Sequence, residues 1–286
     1  MKRGILFFSI AVMLLMTGCL SGTGRDQKED ERGRIKVTVF AAKSLNQVLD
    51  TLAADYEKDH PEIEIVGNYD SSGTLMTQIK EGASCDVFFS ADTKQMDALE
   101  EMGGIVISGT RHDLLNNQVC VVTYKGSNTK VTGLENMNLA SSLAIASGSV
   151  PVGKYTRQAL VNAGLLERTD DVLAITTEQI AKALGNNQIN ECGNVGAVTT
   201  SVVEGANEVG TVYYSDTYGL NKKLEILQKI PNELTGNVIY PVAQIENQEA
   251  DQEQKAAAAD FIKFLTGDHA RDVFRQYLFD VTEKPQ

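Results

Sequence analysis

Two segments of this 286-residue chain join a strand end, hydroxyl side chains and a helix start: Phe40-Ala41-Ala42-Lys43-Ser44 and Tyr69-Asp70-Ser71-Ser72-Gly73-Thr74. The first amides of a helix have no acceptor within it, and the positive end of the helix dipole lies there, so such a turn attracts anions. Serine hydroxyls at the same place donate to oxyanion oxygens. Ser44 and Ser72 also read as simple caps of their own helices. Two such turns at the ends of neighbouring strands favour an anion cleft over a pair of caps. Lys43 is the nearest cation and reads as a solvated helix-start lysine, because fixed backbone dipoles hold an anion without a charged partner. Asp70 reads as tying down its turn through backbone N–H groups while facing away from the cleft. Ser44 or Ser72 as a hydrolase nucleophile is the competing chemistry, but no Gly-x-Ser-x-Gly elbow surrounds either serine and no histidine partner is indicated.

Positioning these turns takes alternating strands and helices. Ile35 to Phe40 predicts a strand, and Leu45 to Lys58 an amphipathic helix with Leu45, Val48, Leu52 and Tyr56 on one face. A strand over Ile63 to Tyr69, a helix over Thr74 to Glu81, a strand over Asp86 to Ser90 and a helix over Thr93 to Met102 continue the pattern. A second set follows: strands at Val119 to Tyr124 and Leu143 to Ala146, a helix from Lys154 to Ala163, a strand at Val172 to Thr176, a helix over Val195 to Val203 and a strand at Val209 to Tyr214. Strands at Leu224 to Ile230 and Val238 to Ile245 precede helices over Asp251 to Leu265 and His269 to Tyr277. The pattern is that of an α/β protein with mostly parallel sheets, its plan used twice, and a ligand cleft at strand ends and helix starts.

Composition narrows the partners. With 26 Lys and Arg against 38 Asp and Glu, a net charge of -12 leaves no broad cationic surface for nucleic acid, so any bound anion is met locally. The acidic stretches Asp26 to Glu31 and Glu246 to Glu253 read as solvated surface. His60, His112 and His269 stand apart, and Cys85, Cys120 and Cys192 lack the paired spacing of a zinc or redox site, so the cysteines read as buried small hydrophobes. One disulfide with a spare thiol is the alternative. Residues 1–19 carry Lys2 and Arg3, an apolar run from Ile5 to Met16 and the ending Thr17-Gly18-Cys19, which reads as an export signal too short to span a membrane permanently. Residues 20–34 are polar and charged, a flexible tether.

The ending Met16-Thr17-Gly18-Cys19 resembles the lipobox of bacterial lipoproteins, which implies lipidation of Cys19 and an extracytoplasmic body held at the cell membrane. The stretches VFAAKSL, SSGTLMTQIKEGASCDVFFSAD, SVPVGKY, GTVYYSD and YPVA resemble, in order and spacing, the molybdate-binding proteins of ABC transporters over nearly the whole chain beyond the tether. That resemblance implies a type II periplasmic-binding fold: two α/β lobes joined by a double crossover, with the ligand cleft between them. The expected division is 35–116 plus 237–286 for lobe I and 117–236 for lobe II. It nominates Ser44 and Ser72 as hydroxyl and backbone donors, Val152 as a backbone N–H donor and Tyr213 as a phenol donor. Val195 supplies the remaining backbone donor, with Ile180 as the competing choice, and Tyr214 is the neighbour to be told from Tyr213. For each tyrosine the alternative is core packing with the hydroxyl at the surface.

The function implied is capture of molybdate, with tungstate as a second ligand, by a monomeric receptor that delivers it to an ABC permease. No cofactor, no metal-cation site and no catalytic step are expected. Sulfate, phosphate or another small oxyanion is the alternative ligand, and a surface adhesion or signalling module on the same fold the alternative function.

Overall fold

Alternating β-branched residues form the first strand. In the computed structural model, which describes residues 33–185 and 187–282, Ile35–Ala42 forms β1 and buries Val37, Val39 and Ala41. The export segment, Cys19 and nearly all of the tether lie outside the described residues. A single 3-10 turn, Lys43–Leu45, leads into α1 (Asn46–Asp59), whose Val48, Leu49, Leu52 and Tyr56 bury one face at helical spacing. β2 (Ile63–Asp70) runs parallel to β1, from Ile35 opposite Ile63 to Ala42 opposite Asp70. α2 (Ser72–Lys80), β3 (Val87–Phe89) and α3 (Thr93–Glu101) repeat the unit.

The chain then passes through β4 (His112–Asn117) into a second sheet. Its elements are β5 (Val119–Tyr124), β6 (Ser142–Ala146), α4 (Pro151–Asn162), α5 (Thr177–Ala183), β7 (Gln188–Cys192), α6 (Val195–Val203), β8 (Val209–Tyr213) and β9 (Leu224–Lys229). After α7 (Asn232–Thr235), β10 (Val238–Gln244) returns to the first sheet, closed by α8 (Gln252–Leu265), α9 (Asp268–Gln276) and β11 (Asp280–Val281). The strand orders are β11-β4-β10-β3-β1-β2 and β7-β6-β8-β5-β9. Two α/β lobes result, joined by two crossovers, one between Asn117 and Val119 and one between Lys229 and Val238.

Both sheets are mixed rather than mostly parallel. β1 pairs in parallel with β2 and β3, and β6 with β7 and β8, but the crossover strands β5 and β10 pair antiparallel with their neighbours. A strand that enters one sheet after leaving another meets that sheet's βα units from the opposite direction, a feature that local periodicity does not report. The expected strand at Val172 to Thr176 is instead a 3-10 turn, Val172–Ala174, followed by α5. Asp171 caps the turn by accepting the Leu173 N–H, and Thr176 and Gln179 form a capping box. The apolar side chains of that run, Val172 and Ile175, are buried without sheet pairing. α4 starts at Pro151, earlier than expected, because proline at the first helical position gives up no hydrogen bond.

Candidate functional site

The carboxyl end of β1 delivers Ser44. Its Oγ shares a 2.9 Å hydrogen bond with the Tyr240 hydroxyl, which lies where the β10 ladder shifts register at Tyr240/Pro241, proline having no N–H for the neighbouring strand. The Asn117 Nδ2 donates to that Tyr240 hydroxyl at 3.2 Å and to Ser215 Oγ at 2.8 Å, while Asn117 Oδ1 accepts the Gln118 N–H at 2.9 Å. The backbone donor therefore fixes which way the Asn117 amide points. Either hydroxyl can donate in the Ser44–Tyr240 bond; with Tyr240 already accepting from Asn117, the arrangement in which Tyr240 donates to Ser44 Oγ leaves the Ser44 proton to donate elsewhere.

Ser72 opens α2 and is fully buried. Its Oγ accepts the Ala91 N–H at 3.0 Å, again leaving the hydroxyl proton free for an outside acceptor. Ser71, not Ser72, caps the helix, accepting from Thr74 N. The alternative in which Ser72 is only a cap thus fails, because the neighbouring serine has that task. Asp70 Oδ1 accepts the Ser71 N–H at 2.7 Å, tying the turn as expected, but it also accepts from Asn194 Nδ2 of the other lobe at 3.1 Å, so it reaches across between the lobes instead of facing away.

Val150 precedes α4 as its N-cap without a side-chain bond, Pro151 offers no N–H, and helical bonding begins with Lys154 N–H to Val150 C=O. The amides of Val152 and Gly153 fall in the first turn, where the helix supplies no acceptor. Gly153 has no room for a side chain: a Cβ there would stand 2.0 Å from the Ser147 carbonyl oxygen and 2.4 Å from that of Ala146. Buried Arg157 pins the same turn by donating to the carbonyls of Ala146, Gly153 and Ile175 at 2.8, 3.0 and 2.8 Å. Desolvation lowers the Arg157 pKa, opposed by the charge of Glu191.

Val195 is the first residue of α6, with Asn194 as N-cap accepting from Ala197 N at 2.9 Å. Ile180, the competing backbone donor, spends its N–H on the Thr176 carbonyl within α5.

Tyr213 ends β8 with 1% exposure, its ring edge-on to Tyr240 at 5.7 Å between centroids. Its hydroxyl is buried and makes no hydrogen bond of acceptable geometry within the protein, the Tyr240 hydroxyl standing near it without completing one. Desolvation, with the nearby Tyr240, Tyr155, Asp92 and Asp216, holds its pKa well above that of a free tyrosine, so it is a proton donor at neutral pH. Tyr214 instead carries Lys229 Nζ over its ring at 3.1 Å and lines a separate surface groove.

Contacts between the lobes bring these helix starts together. Ser44 is tied to Tyr213 through Tyr240. Gly73 of α2 lies so close to Ser149, ahead of α4, that a Cβ would stand 2.8 Å from the Ser149 carbonyl oxygen. The Lys43 stem packs at 3.0 Å from the Cβ position of Gly196 in α6. Outside them runs a groove of about 780 Å³ lined by Lys43, Ser44, Asn194, Gly196, Ser215 and Asp216 among others. Among the described residues no cluster of His, Cys, Asp and Glu could hold a metal ion, and no helix is long and apolar enough to cross a membrane. Cys85, Cys120 and Cys192 are buried free thiols, and burial pushes the Cys120 pKa up to about 12.

Sequence reasoning missed Asn117 and Arg157, and took Asp92, Lys154 and Tyr240 only as parts of motifs. Asp92 alone had a local signal, an acidic residue one position before a predicted helix.

Residues 37–280 match the family model of the bacterial extracellular solute-binding proteins. The chain is 30% identical over 253 residues to the molybdate-binding protein ModA of Escherichia coli, covering 86% of this chain and 89% of that one. It is 28% identical over 279 residues to YvgL of Bacillus subtilis, provisionally named an ABC transporter substrate-binding lipoprotein, covering 97% and 98%. The fold matches that of the periplasmic molybdate-binding protein of Azotobacter vinelandii with a TM-score of 0.68 at 21% identity, over 87% of this chain and 100% of that one. By sequence and by architecture, this chain belongs to the bacterial extracellular solute-binding proteins.

Proposed function

We propose that this chain is the extracytoplasmic receptor of an ABC transporter, capturing molybdate, with tungstate as a second ligand, and handing it to a membrane permease. The donors are the hydroxyls of Ser44, Ser72 and Tyr213 and the backbone N–H groups of Val152 and Val195. The observation that carries this reading is the Tyr213 hydroxyl, buried and without a protein acceptor where two lobes of helix starts meet. Buried donors are almost always paired, so an orphan in a cleft calls for an acceptor from outside. A fully deprotonated dianion accepts at every oxygen and satisfies a site made only of donors. The relatives' named ligand, molybdate, is such an ion.

The body acts as a monomer, lobe I spanning 35–116 and 237–286 and lobe II 117–236, hung from the membrane by lipidated Cys19 and its tether. Cys19→Ser is expected to leave unprocessed precursor or release soluble protein, and unchanged membrane retention and lipid labelling would count against the anchor. Calorimetric titration of ligand-stripped protein with molybdate, tungstate, sulfate and phosphate tests the ligand. The first two should bind at least about tenfold more tightly than the others, a margin of about 1.4 kcal/mol. Equal or tighter sulfate binding would make this a receptor for a different oxyanion.

A further inference from the structure

The strongest ion pair near the cleft joins the two lobes. Asp92, the N-cap of α3 in the first lobe, is 1% exposed, and its Oδ2 receives Lys154 Nζ, from α4 in the second lobe, at 2.6 Å. Asp92 is held in place by its own turn. Its Oδ1 accepts from Lys94 N at 3.2 Å, its N–H donates to Ser90 Oγ at 3.2 Å, and Ser90 Oγ donates to its carbonyl at 2.7 Å. Lys154 stands two residues after Val152 and lies over the Tyr155 ring at 5.0 Å.

We propose that Lys154 is a positioning residue whose ammonium closes an interlobe latch on Asp92, cancelling a buried negative charge beside the oxyanion site only when the lobes meet. The inference rests on the oxyanion reading above. A carboxylate buried beside a cleft made for a dianion carries two penalties, its own desolvation and repulsion of the ligand. Its charge reaches the site, since it contributes to holding the Tyr213 and Tyr155 phenols protonated. Its compensating cation sits on the opposite lobe, so the penalty is lifted by closure and not before. Anion affinity and closure are then coupled through a contact that never touches the anion. The cross-lobe hydrogen bond from Asn194 to Asp70 has a neutral donor and cannot do this.

A double-mutant cycle on the mature chain separates the latch from an ordinary structural ion pair. Molybdate affinity is measured by calorimetry, and ligand-free melting temperature by circular dichroism, for wild type, Lys154→Met, Asp92→Asn and the double variant. Lys154→Met, which strands the carboxylate, should weaken molybdate by about thirtyfold or more. Asp92→Asn should stay within about fivefold of wild type, and adding it to Lys154→Met should restore most of the lost affinity. Lys154→Arg should retain binding, and Lys154→Gln serves if Lys154→Met does not fold. Additive losses in the double variant, or Lys154→Met and Lys154→Gln binding within about threefold of wild type, overturn the latch alone. Wild-type protein that binds none of the oxyanions overturns the proposed function and the latch together.

Discussion

Tyr213→Phe separates a ligand donor from a structural tyrosine in one substitution. The hydroxyl it removes is buried and bonds to nothing in the protein, so the ligand-free fold loses no hydrogen bond and sheds a desolvated polar group. Ligand-free stability should therefore stay level or rise by up to about 1 kcal/mol. In the complex the same hydroxyl would donate to a charged oxygen, a bond worth about 1.5–3 kcal/mol, so the molybdate Kd should rise roughly tenfold to 150-fold. Tyr240→Phe is the control. It breaks the hydrogen bonds to Ser44 and Asn117 and should destabilise the free protein by about 1–3 kcal/mol. Urea unfolding gives the stabilities and calorimetry the affinities. A Tyr213→Phe protein that binds molybdate within about twofold of wild type, or that unfolds as early as Tyr240→Phe, refutes the assignment of Tyr213 as a donor.

Phosphate near neutral pH still carries a proton, which a site of donors leaves facing another donor, so it should bind at least about tenfold more weakly than molybdate by calorimetry. Asp70→Asn should leave that ratio unchanged, because the Asp70 carboxylate is already engaged by Ser71 and Asn194; a ratio that moves makes Asp70 a ligand residue. Gly153→Ala forces a Cβ against two carbonyl oxygens and should cost about 1–3 kcal/mol of stability while displacing the Val152 amide; unchanged melting temperature and affinity would contradict the tight α4 start. Burial pushes the Asp216 carboxyl up to about 7, against the Tyr213 N–H that pulls it down. The folded state then binds the proton more tightly than the unfolded chain, so this contribution to stability is full below about pH 4 and lost as pH rises through about 7. The stability of wild type relative to Asp216→Asn should accordingly fall between about pH 4 and 7, and a flat difference in urea unfolding would contradict it.

The parts of the fold that follow local rules were legible in the sequence. β1, α1, β5 and α6 lie within a few residues of where periodicity and caps put them, since each buries one face with strong spacing. The edge strand β7 escaped because Gln188–Cys192 is polar and mostly exposed, while the apolar run before it packs as a turn instead. The helix-start serines were readable as anion donors for the same local reason. The long-range pairs around them were not: the Ser44–Tyr240 bond joins residues 196 positions apart, and Lys154–Asp92 residues 62 apart. The first pair forms only when β10 returns to the first sheet and the second only when the two lobes meet, and no window of sequence contains either. Tyr213 was separable from Tyr214 only through the resemblance, because strand alternation alone does not say which face becomes the cleft.

The central claim is that neutral donors from both lobes converge on one oxyanion, and a crystal structure of the protein grown with molybdate tests it most directly. The account predicts the anion enclosed between the lobes, its oxygens meeting Ser44 Oγ, Ser72 Oγ, the Tyr213 hydroxyl and the amides of Val152 and Val195, with no lysine or arginine in contact. An anion held instead by Lys43 in the outer groove, or by Lys154, with the Tyr213 hydroxyl still unpartnered, would contradict it.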